Sequence, residues 1–129
     1  MGMMTFQATR KPPRAVLYIC AQRDGSSSLA AERAIEEGRA FAERNDLRIL
    51  TEIPDTYGEP VPSKRAGWAR VREMAENGEM DVVIARWPNA LSVDSELRAP
   101  ELDYLGQHGV QVLFSWAPLA AMDTAGTPQ

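Results

Sequence analysis

The chain of 129 residues has one cysteine, Cys20, and one histidine, His108. A closed zinc site needs about four nitrogen or sulfur ligands, so a Cys/His zinc centre is excluded, and a disulfide scaffold with it. No run approaches the ~20 apolar residues of a membrane-spanning helix. The N-terminus lacks the apolar core and small-residue cleavage site of a secretory signal. Met1-Gly2 fails as a myristoylation signal because Phe6 stands where Ser or Thr is needed. A cytoplasmic, reducing setting without a membrane partner is the expectation. Positive charge is not in excess either: 14 Lys+Arg face 18 Asp+Glu for a net charge of -4, so no global field attracts nucleic acid. The usual phosphate cradles, G-x-G-x-x-G and G-x-x-x-x-G-K-[ST], are absent, as is the nucleophile elbow G-x-S-x-G. No cofactor and no metal are expected.

What is present is enough apolar sequence, 44% of the chain, for one domain with a real core. Residues 1–13 read as a flexible basic lead-in that carries Arg10 and Lys11 beside Pro12-Pro13, with Arg14 at its edge. Ala15 to Ala21 is a short β-favouring apolar run, hence a buried strand. Ser26, Ser27 and Ser28 offer helix N-caps. Ala31, Ala34, Ile35, Gly38, Phe41 and Ala42 then fall on one helical face, while Arg33/Glu37 and Arg39/Glu43 stand at i,i+4 on the wet side. Asn45-Asp46 closes this helix, and Leu47 to Ile53 reads as a strand stopping at Pro54. The turn formers between Asp55 and Ser63 mark a loop where an active-site flap is expected. A helix over about Arg65 to Asn77 buries Trp68, Val71 and Ala75 and stops at Gly78. Asp81 to Ala85 is a third strand. A helical segment from Ser95 is predicted to break at Pro100 and restart to Gln107, before a fourth strand over Val110 to Ser115. His108, beside Gly109, reads as a cap on the last helical carbonyls.

Strand and helix in strict alternation imply right-handed crossovers. The expected fold is α/β, with three layers (α/β/α) around a mostly parallel sheet of four to five strands. Sites in such sheets form at the carboxyl ends of strands. That directs attention to Cys20 to Ser28, Asp55 to Arg65 and Arg86 to Asp94.

The strand Ala15 to Gln22, the stretches Asp55 to Gly58 and Arg65 to Trp68, and the segment Trp87 to Asp94 together resemble the N-terminal catalytic domain of serine recombinases, the resolvase and invertase family. Ala15-Val16-Leu17-Tyr18-Ile19-Cys20-Ala21-Gln22 is similar to the family's A-V-x-Y-x-R-V-S, and Ser28-Leu29-Ala30-Ala31-Glu32 to its S-L-x-x-Q. Asp55-Thr56-Tyr57-Gly58 and Arg65-Ala66-Gly67-Trp68 resemble D-x-x-S-G and R-P-G-W. Asp81-Val82-Val83-Ile84 and Trp87-Pro88-Asn89-Ala90-Leu91-Ser92-Val93-Asp94 resemble D-V-V-V and K-L-D-R-L-S-R-D. Gly109 to Phe114 and Met122-Asp123-Thr124 fit the closing strand and the turn after it. Four pieces in the right order cover nearly the whole of 14–129. The resemblance implies a catalytic-type domain over 14–129, without the long dimer helix and helix-turn-helix domain that follow in the family.

In that family a serine hydroxyl attacks a DNA phosphodiester while arginines neutralise the five-coordinate transition state. Here the nucleophile position holds Gln22, whose amide has no oxygen able to act as that nucleophile. Cys20 replaces an arginine, and Asn89, Ala90 and Val93 replace an aspartate and two arginines. Arg65 is the phosphate-binding residue that stays on a matching position. Arg23, Ser26 and Ser28 are further candidates for phosphate contact, and Asp55, Tyr57 and Trp87 for lining the cleft. Over 95–129 the lone cation Arg98 faces Glu96, Glu101, Asp103 and Asp123, a sign that repels phosphate. The leading expectation is a catalytically degenerate recombinase-like domain that serves as a non-enzymatic binding or regulatory module. Its partner would be an unidentified protein or a second copy, with at most weak DNA contact. One alternative is a recombinase that exchanges DNA strands through a non-standard serine at 26–28 or with a partner. A second is a small domain that binds an anion or nucleotide through Ser26–Leu29, Arg23 and Arg65.

Overall fold

The computed structural model describes residues 11–22, 29–56, 59–92 and 94–116. Four strands and three helices alternate along it: β1 (Arg14–Gln22), α1 (Leu29–Arg44), β2 (Arg48–Thr56), α2 (Ala66–Glu76), β3 (Val82–Ala85), α3 (Ser95–Gln107) and β4 (Gln111–Phe114). The sheet has the order β2-β1-β3-β4 and every pairing is parallel. The chain steps one way from β1 to β2, then back across β1 to β3 and onward to β4. Right-handed crossovers therefore put α1 on one face and both α2 and α3 on the other.

The side-chain alternation of β1 serves both layers. Ala15, Leu17 and Ile19 pack with Ala31, Ala34, Phe41 and Ala42 of α1. Val16, Tyr18 and Cys20 point the opposite way, into a cluster with Trp68, Val71, Met74 and Ala75 of α2 and Leu105 of α3. Buried on both sides, β1 reads as an apolar run, as central parallel strands do. Two irregularities interrupt its pairing with β2. Leu50 is skipped between the pairs Ala15↔Ile49 and Val16↔Thr51, and Ala21 between Cys20↔Asp55 and Gln22↔Thr56. The second bulge falls at the carboxyl end of β1, where bulges commonly re-aim the chain beside a site.

Several local expectations are corrected. β2 does not stop at Pro54 but continues to Thr56; it is an edge strand, the place in a sheet where a proline is tolerated. Pro100 does not break α3, which runs unbroken with the proline inside it. The Asp94 side chain accepts from Glu96 N (2.9 Å) at the helix start, and the fully buried Leu105 fixes the far end. Proline's fixed φ is itself helical, so it removes one hydrogen bond without forbidding the helix. Glu37 and Arg39 pair between elements rather than along α1. Arg39 Nη2 reaches Glu52 Oε2 of β2 at 2.7 Å, and Arg86 Nε reaches Glu37 Oε1 at 3.0 Å. Arg14 belongs to the sheet rather than to the lead-in: its Nη2 lies 3.1 Å from Asp81 Oδ1 and its backbone N–H donates to Asp81 Oδ2 at 2.8 Å. That contact holds the Asp81 carboxyl below its ordinary value, the hydrogen bond from Arg14 being the main cause.

Gly78 does close α2, with φ of +68° that an L side chain rarely adopts. His108 caps α3: its Nδ1 lies 3.1 Å from the carbonyl of Tyr104, which can only accept, so the ring donates. Among the described residues no helix is long and apolar enough to cross a membrane, and no group of three His, Cys, Asp or Glu could hold a metal ion.

Candidate functional site

The carboxyl ends of β1 and β2, the start of α2 and the turn after β3 meet around one guanidinium. Arg65 precedes α2, follows a short 3-10 turn at Pro62–Lys64, and is 6% exposed. Its Nε donates to the Glu59 carbonyl at 2.8 Å. Its Nη1 faces the Ala90 carbonyl (2.5 Å), the Tyr18 hydroxyl (3.1 Å) and Cys20 Sγ (3.4 Å). The Tyr18 hydroxyl passes the contact on, donating to Asp55 Oδ2 at 2.8 Å. Thus a tyrosine bridges a buried cation and a carboxylate that do not touch directly.

Asp55 has a second task. Arg65, at the N-cap of α2, makes no side-chain cap. Asp55 supplies it from β2 instead, accepting from Gly67 N (3.1 Å) and Trp68 N (3.0 Å), two of the donors a helix start leaves unpaired. A carboxylate there also complements the positive end of the helix dipole. The approach is so close that a Cβ on residue 67 would stand 2.6 Å from Asp55 Oδ2 and 2.8 Å from the Pro54 carbonyl. This is why glycine follows Ala66. Trp68 comes next, fully buried, edge-on to Tyr18 at 5.0 Å between ring centroids and donating from Nε1 to Glu101 Oε1 of α3 at 2.7 Å.

Burial decides the protonation of the two β1 side chains. It pushes the Tyr18 hydroxyl far above the ordinary 10.0; a charge on Cys20 would add to this, and the Arg65 hydrogen bond and charge only partly oppose it. The Cys20 thiol is likewise raised from 9.0, first by burial and against the pull of Arg65. A neutral buried thiol is a poor nucleophile.

Between the carboxyl ends of β1 and β3 and the start of α1 lies a pocket of about 250 Å³ with predominantly apolar walls, formed by Tyr18, Ile19, Cys20, Ala30, Ala34, Arg86 and Trp87. Trp87 is half-buried, with the Arg86 guanidinium 4.8 Å over its ring and Trp116 edge-on at 5.1 Å.

The structure thus brings Cys20, Asp55, Arg65 and Ala90 to one point and sets Trp87 beside Cys20 in the pocket. Asn89 does not join them; its Oδ1 accepts a long contact of 3.4 Å from Arg98 Nη1. Gln22 holds the last backbone pairing of β1, opposite Thr56. Arg23, Ser26, Ser28, Tyr57 and Val93 lie outside the described residues, as do Ser27 and Gly58. Sequence reasoning did not single out Tyr18, Glu59 or Arg86, although the last two fall within the segments it pointed to. One signal was available for Tyr18: a buried tyrosine carries a polar tip that needs a partner, and this one stands in an otherwise apolar strand.

No family model matches the chain, and no curated protein matches it. Solved structures do. The C-terminal catalytic domain of ISC1926 TnpA, an IS607-like serine recombinase, superposes with a TM-score of 0.70 at 17% identity, over 80% of this chain and 70% of that one. The N-terminal catalytic domain of TP901-1 integrase gives 0.67 at 16% identity, over 78% and 75%. A resolvase family site-specific recombinase from Streptococcus pneumoniae gives 0.66 at 17%, over 80% and 72%. The fold is that of a serine recombinase catalytic domain. In the present member of this fold, the cluster around Arg65 and the pocket beside Trp87 both sit at the carboxyl end of the parallel sheet, where the connections leaving β1 and β3 run to opposite sides.

Proposed function

We propose that this chain is a catalytically degenerate serine-recombinase-like domain that works as a non-enzymatic binding or regulatory module. One observation carries the reading. Arg65, the matching phosphate-position arginine that the chain retains, is 6% exposed and its guanidinium is engaged by Glu59, Tyr18, Cys20 and Ala90. With Nε and Nη1 spent on internal acceptors, this arginine ties β1, the Glu59 loop and the turn after β3 to the start of α2, which works against its presentation to a phosphodiester. The composition of the cleft supports the same reading. Gln22 stands where the resemblance puts a serine, and neutral Cys20, Asn89, Ala90 and Val93 stand where it puts charged groups. Losing one transition-state partner costs about a hundredfold or more in rate, and losing several from one site leaves no useful catalysis. Partners of such a module are an unidentified protein or a second copy, with DNA contact at most weak.

The similar solved structures are described as recombinases, so the competing activity is DNA strand exchange through a serine at 26–28. The deciding experiment incubates the full chain with supercoiled plasmid, quenches in detergent, and looks for a protein–DNA adduct and nicked circles. Neither is expected. An adduct that disappears when Ser26, Ser27 and Ser28 are all changed to Ala would replace this reading with the recombinase one.

A further inference from the structure

We propose that the pocket between α1 and the carboxyl ends of β1 and β3 binds a small aryl carboxylate, a single ring bearing one acid group. The inference deepens the binding-module reading, on which it rests, by naming a ligand class.

Strand register supplies the polar end. Leu17 pairs with Ile84 and Ile84 with Leu113, so two residues further on Ile19, Arg86 and Ser115 stand abreast on the α1 face of the sheet. The ladder continues to that level, with Ser115 N donating to Ala85 O and Trp116 N to Arg86 O. Ser115 is 1% exposed, and its hydroxyl has no hydrogen-bond partner among the described residues. That oxygen is closed to solvent and Ser115 does not line the pocket, so the polar group a ligand meets there is that of Arg86. Arg86 is committed only in part. Its Nε meets Glu37 Oε1 at 3.0 Å, while among the described residues its terminal amino groups have no partner. A guanidinium edge with free N–H groups matches a carboxylate fork.

Helix α1 supplies the room. Ala30 and Ala34, one turn apart, line the pocket where longer side chains would fill it. Ile19 and Trp87 give apolar walls for a ring. The volume of about 250 Å³ falls just under the ~300–1,000 Å³ of drug-sized sites, which suits a ligand of one ring. Two features favour a carboxylate over inorganic phosphate: the walls are mostly apolar, and the nearby Glu37 opposes a dianion more strongly than a single charge.

The test titrates the full chain with benzoate, with neutral benzamide and with inorganic phosphate, following backbone amide shifts by NMR and heats by calorimetry. Benzoate is expected to give saturable shifts at Ile19, Ala30 and Arg86, with benzamide and phosphate at least about tenfold weaker. Arg86→Gln should weaken benzoate by about tenfold or more, since it removes the charged donor. Glu37→Gln, which frees Arg86, should tighten it. That change of opposite sign would not follow from damage to the fold. Ala30→Leu, at an exposed position of α1, should abolish binding and leave distant amides in place. Absence of a saturable benzoate shift, or a shift indifferent to Arg86→Gln and Ala30→Leu, overturns the proposal. The DNA adduct assay is separate. An adduct sinks the binding-module reading whatever benzoate does, while no adduct and no benzoate binding sinks the ligand class alone.

Discussion

Replacing Tyr18 with Phe tests the bridge between Arg65 and Asp55 at its centre. The ring would keep its edge-on packing against Trp68, so the change removes one oxygen and little else. That oxygen accepts from Arg65 at 3.1 Å and donates to Asp55 at 2.8 Å. Hydrogen bonds to charged groups contribute about 1.5–3 kcal/mol each, but both partners keep others: Asp55 retains the amides of Gly67 and Trp68, and Arg65 retains two carbonyls. The expected loss is therefore at the low end of two such bonds, about 2–3 kcal/mol. For a domain of this size each kcal/mol lowers Tm by roughly 4 °C or somewhat more, so the midpoint should drop by roughly 10 °C. Urea unfolding followed by tryptophan fluorescence reads the effect as a lower midpoint at unchanged slope. A double-mutant cycle with Asp55→Asn should show the two changes to be non-additive by at least ~0.5 kcal/mol, because they break one network. A loss below ~0.5 kcal/mol for Tyr18→Phe, or strict additivity with Asp55→Asn, would refute the claim that the hydroxyl joins the two charges.

Other expectations follow from the same geometry. Gly67→Ala should cost about 2 kcal/mol or more in urea unfolding, because its Cβ would press on the Asp55 carboxylate and the Pro54 carbonyl, neither free to move. Gly38→Ala should cost less, since its Cβ would meet only the flexible tip of Leu17 and alanine regains up to ~1 kcal/mol of helix propensity. Stability should fall as pH rises above about 9. The unfolded chain releases protons from Cys20 near 9.0 and Tyr18 near 10.0 while the folded chain holds both, so the unfolded state binds fewer protons and gains as pH rises. Urea midpoints across the alkaline range should show this decline, and Tyr18→Phe should flatten its upper part. At neutral pH the Cys20 thiol should react with a disulfide reagent far more slowly in the native protein than in urea; equal rates would contradict its burial.

The layers of the fold were legible because they rest on local period. Ala31, Ala34, Phe41 and Ala42 announce the buried face of α1, and all four are buried. The apolar β1, β3 and β4 runs are short and follow turn formers, which is enough to call a parallel sheet. Of the candidate site, the sequence named residues and not the contacts between them. Cys20, Asp55, Arg65 and Ala90 do meet, yet what they do was hidden, since the bonds that define it span 25 to 47 residues. Asp55 was expected to line a cleft and proves to be the cap of a helix twelve residues further on. The ion pairs misled for the same reason. Arg39 had Glu43 one turn away, but Glu52 on the neighbouring strand offers a contact fixed by the sheet. Pro100 and Pro54 were read as breakers from local rules that an exposed helix position and a sheet edge both relax.

The central claim is that the Arg65 cluster is closed to phosphate. Its most direct test is the affinity of the full chain for duplex DNA, measured by fluorescence anisotropy across a salt series. Each phosphate neutralised by a cation contributes about -0.9 to the slope of log K against log salt. The account predicts negligible binding at low salt and a slope near zero, with Arg65→Gln behaving like the wild type. Tight binding with a steep negative slope, reduced by about one phosphate in Arg65→Gln, would mean that the guanidinium leaves its internal acceptors to meet DNA, and would contradict the account.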